Sequence, residues 1–410
     1  MLKGPVARAT IRTTMVLVLR LLIQAGNLLL VARVLGPSLF GAYAGIAALA
    51  VLLGTMTTFG TPLVLLAEAS QTFQRRLRVL PYCVSTALIA GSVLLGAFII
   101  AVGATFKGSP ISMTLVTIIG ITELVIQPLL AVPSVQLQAR RQIAASQLVY
   151  MVPLAIRLVV ILGIALLPVT NPLQAFVIGS LLAGIAGLAI ASRMLPNAWP
   201  AFRHWRLARV PELRRAAGFA ALSVTEKGPT EIDKSLAARL LPLATAGVYS
   251  AAARIVNAVN VPVVAMIQSA LPTLFAQSRQ AAGIQPKMLV AMFGATFVYS
   301  SGAAFAMWLF VPVIAWMLGD AYTGIGEALG LLCLAIPGTT LRLTSGAVLI
   351  ARHQPWARVF NEASGVVVVI VAAIVLAPKY GIIGMIGAYV AAEWMMAVIA
   401  TGLVIRHRAS

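Results

Sequence analysis

Runs of Leu, Val, Ile and Ala follow one another along the chain, each closed by a short cluster of Pro, Gly, basic or other polar residues. A representative run is MVLVLRLLIQAGNLLLVA, Met15 to Ala32. A helix needs about 20 mostly apolar residues to cross the hydrocarbon core of a bilayer. The runs have that length and lack the short alternating segments of a membrane β-barrel. They predict helices, whose backbones satisfy their own hydrogen bonds in lipid. Twelve spans are expected, near residues 13–34, 40–66, 79–106, 111–133, 147–167, 173–192, 216–239, 245–275, 289–318, 324–350, 359–377 and 382–405.

The seventh span is unusual. It contains EKGPTEIDKS, Glu226 to Ser235, with five charged residues in ten. Taken alone, the stretch reads as a surface loop or as a charged transmembrane segment, and the distribution of basic residues decides between them. With twelve spans, 20 of the 30 Lys and Arg residues fall on the side of the N-terminus. Four, Arg33, Lys107, Arg239 and Lys379, fall on the other. Basic residues collect in cytoplasmic loops, so both termini are expected in the cytoplasm. A loop at 226–235 would remove one crossing and turn the basic connections at 276–288 and 351–358 outward. The stretch is therefore expected to cross the membrane, with Gly228-Pro229 bending its helix.

Composition strengthens the membrane reading. The chain is 60% hydrophobic and 10% charged, against about 45–50% and about 25% in a soluble domain. The net charge of +20 then reports membrane orientation, and no nucleic-acid partner is expected. Lys3, Arg8 and Arg12 precede a first span that is interrupted by Arg20 and has no small-residue cleavage site, so it reads as a retained helix. Cys83 and Cys333 lie within spans and His204, His353 and His407 form no cluster, so neither a disulfide framework nor a metal site is expected. No P-loop is present and the external connections are too short for a catalytic domain. An enzyme, including a glycan polymerase or ligase, is not expected.

The chain also repeats. LVARVLGPSLFGAYAGIAA at 30–48 aligns with LAARLLPLATAGVYSAAAR at 236–254, an offset of 206. Arg33/Arg239, Gly41/Gly247 and Tyr43/Tyr249 match in one register, and Asn27 corresponds to Asp233. Halves of six helices each insert with the same orientation, giving a parallel repeat. The expected organisation is a six-helix lobe over 1–192, a basic cytoplasmic linker over 193–215 and a second six-helix lobe over 216–410. The linker carries RHWRLARVPELRR. It reads either as a plain connection or as a short amphipathic helix with Trp199 and Trp205 at headgroup depth.

Charges inside spans are costly unless paired or hydrated, and they mark transport pathways. Arg20, Gln24 and Asn27 fall at i, i+4, i+7 on one face of the first span. Glu123 and Gln127 are i, i+4 in the fourth, and Arg157 stands in the fifth. Arg254, Asn257 and Gln268 share a stripe of the eighth. In the seventh, Glu226, Thr230 and Asp233 form one ridge; Lys227, Glu231 and Lys234 form another, whose charges can neutralise one another. Arg342, in the tenth, falls between a cavity residue and one that snorkels to the interface. Polar stripes on otherwise apolar helices predict a water-filled vestibule.

The segments RVLGPSLFGAYAGIAALAVLLGTMTTFGTPLVLLAEAS (33–70), EIDKSLAARLLPLATAGVYSAAARIVNAVNVPVVAMIQSALPTLFA (231–276) and LGDAYTGIGEALGLLCLAIP (318–337) resemble the polysaccharide-exporter and O-antigen flippase family. That family belongs to the multidrug/oligosaccharidyl-lipid/polysaccharide superfamily. The resemblance implies an all-α polytopic protein of 12 helices in a V-shaped pair of lobes, in the bacterial inner membrane. By alternating access it would move an undecaprenyl-diphosphate-linked oligosaccharide to the periplasmic leaflet for surface polysaccharide biosynthesis. Lipid II flippases carry cavity arginines in their first and eighth helices, and Arg20 and Arg254 occupy similar places. The expected substrate contacts are Arg20, Gln24, Asn27, Arg157, Arg254 and Asn257. Glu123, Glu226, Lys227, Glu231, Asp233 and Lys234 are expected to couple a proton or sodium gradient or to form a gate. A monomer is expected, with membrane lipids, the lipid-linked glycan and polysaccharide polymerase and export machinery as partners. The alternative is a cation-coupled exporter of amphiphilic drugs, which calls for acidic residues dominating the cavity.

Overall fold

The computed structural model describes residues 5–69, 73–106, 108–140, 142–195, 199–278 and 284–406. These form helices α1 (Pro5–Thr57), α2 (Thr61–Ala69), α3 (Phe73–Thr105), α4 (Met113–Gly120), α5 (Gln127–Ala139), α6 (Ile143–Leu166), α7 (Pro172–Met194), α8 (Val210–Leu240), α9 (Leu243–Ala258), α10 (Val261–Ser278), α11 (Pro286–Leu318), α12 (Ile325–Leu332), α13 (Ala335–Ala351) and α14 (Pro355–Arg406). A π-helical segment, Ile121–Ile126, joins α4 to α5, and a 3-10 turn, Phe202–His204, interrupts the linker. No strand occurs among the described residues.

Among the described residues, nine helical stretches are long and apolar enough to cross a membrane. Two of them bend at a glycine in the positive-φ region, Gly36 (φ 69) in α1 and Gly381 (φ 58) in α14. Such backbone suits glycine, which has no Cβ to clash. Counting each bent helix as two crossings and adding the charged helix α8 gives the twelve expected. α8 is helical without interruption through Gly228-Pro229, so EKGPTEIDKS is part of a helix and not a loop. Gly228 is packed tightly, since a Cβ there would meet Val366 Cγ2 at 2.8 Å.

Four expected spans are broken where the sequence reading made them continuous. Proline explains three of them, because its missing N–H frees the carbonyl four residues back. Pro262 frees Ala258, and the eighth span divides into α9 and α10; Tyr299 donates to the adjacent Val259 carbonyl at 3.0 Å. Pro337 denies Cys333 its i+4 donor, so its carbonyl accepts from Ile336 N–H at 3.1 Å instead, and the tenth divides into α12 and α13; the Trp394 indole donates to the Leu334 carbonyl at 2.9 Å. Pro128 frees Leu124 within the π-helical segment of the fourth. The second span ends at Thr57 because Phe59 (φ 50) and Gly60 (φ 73) turn the chain onto α8, where a Gly60 Cβ would meet the Ala216 carbonyl at 2.6 Å.

The chain forms two compact units, residues 1–35 with 46–224 and residues 36–45 with 225–410. In the first, Leu65, Leu80, Cys83, Val84 and Val132 form a buried core. In the second, Leu274, Val348, Leu349 and Ala351 do so. Outward faces are apolar instead of polar: Val298 is 73% and Trp316 80% exposed on α11. A soluble protein rarely exposes such contiguous apolar surface, whereas lipid solvates it. The chain is a multi-pass membrane protein.

The linker is not an amphipathic helix in its described part. Residues 205–209 are irregular and run straight into α8. Its tryptophans pack against the core of the first unit; Trp199 donates to Ser192 Oγ at 2.7 Å, and Trp205 to the Pro200 carbonyl within the linker at 3.0 Å. Arg206 grips Glu212 with both terminal nitrogens, at 2.8 and 2.6 Å, and lies 4.7 Å from the Tyr82 ring centre. These hydrogen bonds from Arg206 hold the Glu212 carboxyl below its usual range.

Candidate functional site

The first unit carries a polar track between α1 and α6. Arg20 donates to Gln147 Oε1 at 2.6 Å and lies 5.5 Å from the Tyr150 ring centre. Gly26 approaches Leu158 closely enough that a Cβ would sit 3.6 Å from its side chain, so α1 and α6 climb together. Asn27 is buried, and its Oδ1 has no partner among the described residues. Gln24, on the same stripe, is exposed. Higher on α6, Arg157 pairs with Glu123 of the π-helical segment at 3.4 Å. That segment also changes the expected register. Gln127 N–H bonds to the Thr122 carbonyl, five residues back, so Glu123 and Gln127 do not stack as an ordinary helical i, i+4 pair.

The second unit holds Arg254 on α9, 5.9 Å from the ring centre of the buried Phe40. Its Nε is buried and has no hydrogen-bond partner among the described residues. One turn on, Asn257 Oδ1 accepts a hydrogen bond from Tyr389 at 3.4 Å. The side chains of Glu226 and Gln268 lie outside the described residues.

The charges of α8 sort differently from the two predicted ridges. Lys227 is exposed and has no carboxylate partner among the described residues. Lys234 pairs with Glu231 at 3.5 Å and with Asp233 at 3.3 Å, and its Nζ also donates to the Thr230 carbonyl. Asp233 is fully buried: Oδ1 accepts from the Lys234 backbone at 2.8 Å, and Oδ2 accepts from Tyr249 at 2.8 Å. The repeat thus aligns Tyr249 with Tyr43 and Asp233 with Asn27, but only the second unit carries this carboxylate lock. Ser235 donates to the Gly45 carbonyl at 2.9 Å, tying α8 to the end of the 36–45 segment.

Sequence reasoning missed a second network. Arg342, only 2% exposed, meets Glu393 through Nε at 2.9 Å and NH2 at 3.3 Å, and reaches Glu362 at 3.5 Å. Glu362 also accepts from Arg358 at 2.8 Å. Two arginines and two glutamates balance inside the bundle, so Arg342 does not snorkel. The Arg358–Glu362 spacing of i, i+4 was readable. The partnership of Arg342 with Glu393, 51 positions on, was not.

Five carboxylates within spans, Glu123, Glu231, Asp233, Glu362 and Glu393, therefore have cationic partners, whereas Glu327, exposed in the first turn of α12, has none among the described residues. Arg20, Lys227 and Arg254 are embedded cations without a carboxylate partner among the described residues. No group of His, Cys, Asp and Glu able to hold a metal ion occurs among them.

Solved structures share this fold at low identity. A multidrug resistance MATE family transporter of the MOP superfamily, in an inward-facing conformation, superposes with a TM-score of 0.75 at 15% identity, over 98% of each chain. A MOP superfamily transporter from Pyrococcus furiosus, described as having a binding pocket of reverse polarity, gives 0.69 at 15% identity, over 99% of this chain and 96% of that one. The lipid II flippase MurJ, in an inward closed conformation, gives 0.69 at 14% identity, over 97% and 87%. No curated protein matches the chain. Residues 6–277, more than half of the chain, match the family described as polysaccharide biosynthesis protein, and the chain belongs to that family.

Proposed function

We propose that the protein moves an undecaprenyl-diphosphate-linked oligosaccharide from the cytoplasmic to the periplasmic leaflet of a bacterial inner membrane, by ion-coupled alternating access. The observation that carries this reading is the charge left over inside the bundle. Glu123, Glu231, Asp233, Glu362 and Glu393 are paired with cations, while among the described residues Arg20 in one unit and Arg254 in the other meet only neutral or aromatic neighbours. A diphosphate crossing a low-dielectric core calls for guanidinium partners, which bind oxyanions in a planar, two-pronged geometry. Family membership supports a glycan cargo. Gln24, Asn27 and Asn257 supply neutral polar contacts beside the two arginines. Ion coupling falls to Glu123 and the charged turns of α8, and the polymerase and export machinery are partners in the same reading.

A cation-coupled drug exporter calls for embedded carboxylates free of internal cations; Glu123, Glu231, Asp233, Glu362 and Glu393 are each paired, and Glu327, which is not, stands exposed in the first turn of α12. The flippase reading is tested with protein in liposomes carrying a fluorescent undecaprenyl-diphosphate glycan, scored by its accessibility to a membrane-impermeant quencher. Arg20→Ala and Arg254→Ala are each expected to slow translocation about tenfold or more, the scale of losing one desolvated charge contact. If both variants translocated the lipid at the wild-type rate, the assignment would fall.

A further inference from the structure

Arg157 is paired, but it is held less firmly than the structural arginine of the second unit. Arg342 meets Glu393 through two contacts, with 2% and 0% of the side chains exposed. Arg157 meets Glu123 through one contact, NH2 to Oε1 at 3.4 Å, with 12% and 16% exposed. Its buried Nε has no hydrogen-bond partner among the described residues. The buried Nε is therefore unused, while 12% of the side chain remains open to solvent or cargo.

The backbone that carries the carboxylate is tightly packed. Glu123 stands in the π-helical segment, whose backbone is pressed by two glycines. A Cβ on Gly54 would meet the Glu123 carbonyl at 2.7 Å, and one on Gly91 would meet the Leu124 carbonyl at 2.6 Å. The long arginine side chain carries the freedom to move. Arg157 also stands on the face of α6 that carries Tyr150, seven residues back, which together with Gln147 partners Arg20. It lies ten residues beyond Gln147, which is about 15 Å along the helix axis. An uncommitted cation and a committed one thus stand in line on the same helix.

We propose that Arg157 is a second anion contact held in reserve by Glu123. An oxyanion of the cargo displaces the Glu123 carboxylate from the guanidinium, and the diphosphate passes from Arg20 to Arg157 along α6. This rests on the reading of the cargo as a lipid diphosphate. A diphosphate offers several oxygens to the terminal nitrogens of the guanidinium, whereas Glu123 offers one long contact. Glu123 keeps the cation from being buried without a partner when cargo is absent.

The test is binding of undecaprenyl diphosphate to the full chain in nanodiscs. Glu123→Gln removes the competitor at nearly constant shape and is expected to lower Kd about 2- to 10-fold, the range of a part-exposed ion pair. Arg157→Ala is expected to raise Kd, Arg157→Lys to restore part of the affinity, and Glu123→Gln/Arg157→Ala to bind as Arg157→Ala does. Unchanged affinity in Glu123→Gln, or a gain that survives in the double variant, would overturn the proposal. Arg20→Ala separates it from the reading beneath it. Wild-type affinity in Arg20→Ala sinks the cargo assignment itself, while a weakened Arg20→Ala beside a silent Glu123→Gln sinks only the reserve contact. Gel filtration and a melting curve check each fold, and Glu123→Gln alone decides if the Arg157 variants do not assemble.

Discussion

At the scale of single residues, the embedded charges divide by what they touch. Arg342 is the structural extreme, because its removal strands Glu393 and weakens the hold on Glu362 in a nearly dry interior. Breaking a buried pair from one side costs about 3–5 kcal/mol, since the remaining charge is uncompensated. Arg342→Met is therefore expected to lower the melting temperature of the purified protein sharply, and Arg342→Met/Glu393→Met to recover part of the loss. A single variant that melts with wild type would show the network to be idle. Lys227, exposed on α8, makes a comparison site where truncation to Ala should change stability little. The stripe of Arg20, Gln24 and Asn27 was legible because helical spacing fixes a face within one helix. Which helix that face meets is decided by packing, so Gln147 and Tyr150 could not be named as the partners of Arg20. The ridges drawn on α8 held only in part: Lys234 pairs with Glu231 of its own ridge, but it also meets Asp233 of the other, and Asp233 turns to Tyr249 of another helix.

At the scale of helices, one matched pair of the repeat is a close packing contact. Gly41 and Gly247, matched at an offset of 206, lie against each other within the second unit. A Cβ on Gly41 would sit 2.2 Å from the Leu243 carbonyl and 2.6 Å from Gly247 N; one on Gly247 would sit 1.9 Å from the Pro37 carbonyl. Small residues let membrane helices approach backbone to backbone, where van der Waals contact replaces the hydrophobic effect. Gly247→Ala must push backbone away from backbone and is expected to cost about 1–3 kcal/mol, the range for overpacking. Gly163→Ala, with nothing within 4 Å of its added methyl, serves as the control and should be neutral or slightly stabilising. Equal melting temperatures for the two variants would refute the contact. The glycine match was visible in sequence, but its meaning was not, because an alignment does not say that the matched positions touch. The broken helices were within reach: Pro128, Pro262 and Pro337 each announce a freed carbonyl. The turn at Phe59-Gly60 was less so, since a positive φ at a phenylalanine has no sequence signature.

At the scale of the whole chain, the placement of α8 governs which way every later connection faces. Hydropathy alone passes over this helix, which is absent from the nine apolar stretches. Its crossing is inferred from the balance of Lys and Arg, 20 on one side against four on the other. Asn171 precedes α7 and Asp320 follows α11, and both are exposed. If α8 crosses, four crossings separate them and they share a side; if it does not, they lie on opposite sides. Arg209, exposed in the linker, should then face the cytoplasm while both of the others face out. Cys83 and Cys333 are buried, so single introduced cysteines can be read over a low background. With a membrane-impermeant maleimide, Asn171→Cys and Asp320→Cys are expected to label in intact spheroplasts, and Arg209→Cys only after the membrane is opened. Labelling of Asn171→Cys but not Asp320→Cys would return EKGPTEIDKS to the membrane surface. It would also take Asp233 and Lys234 out of the bilayer core, and with them any role for that helix in coupling.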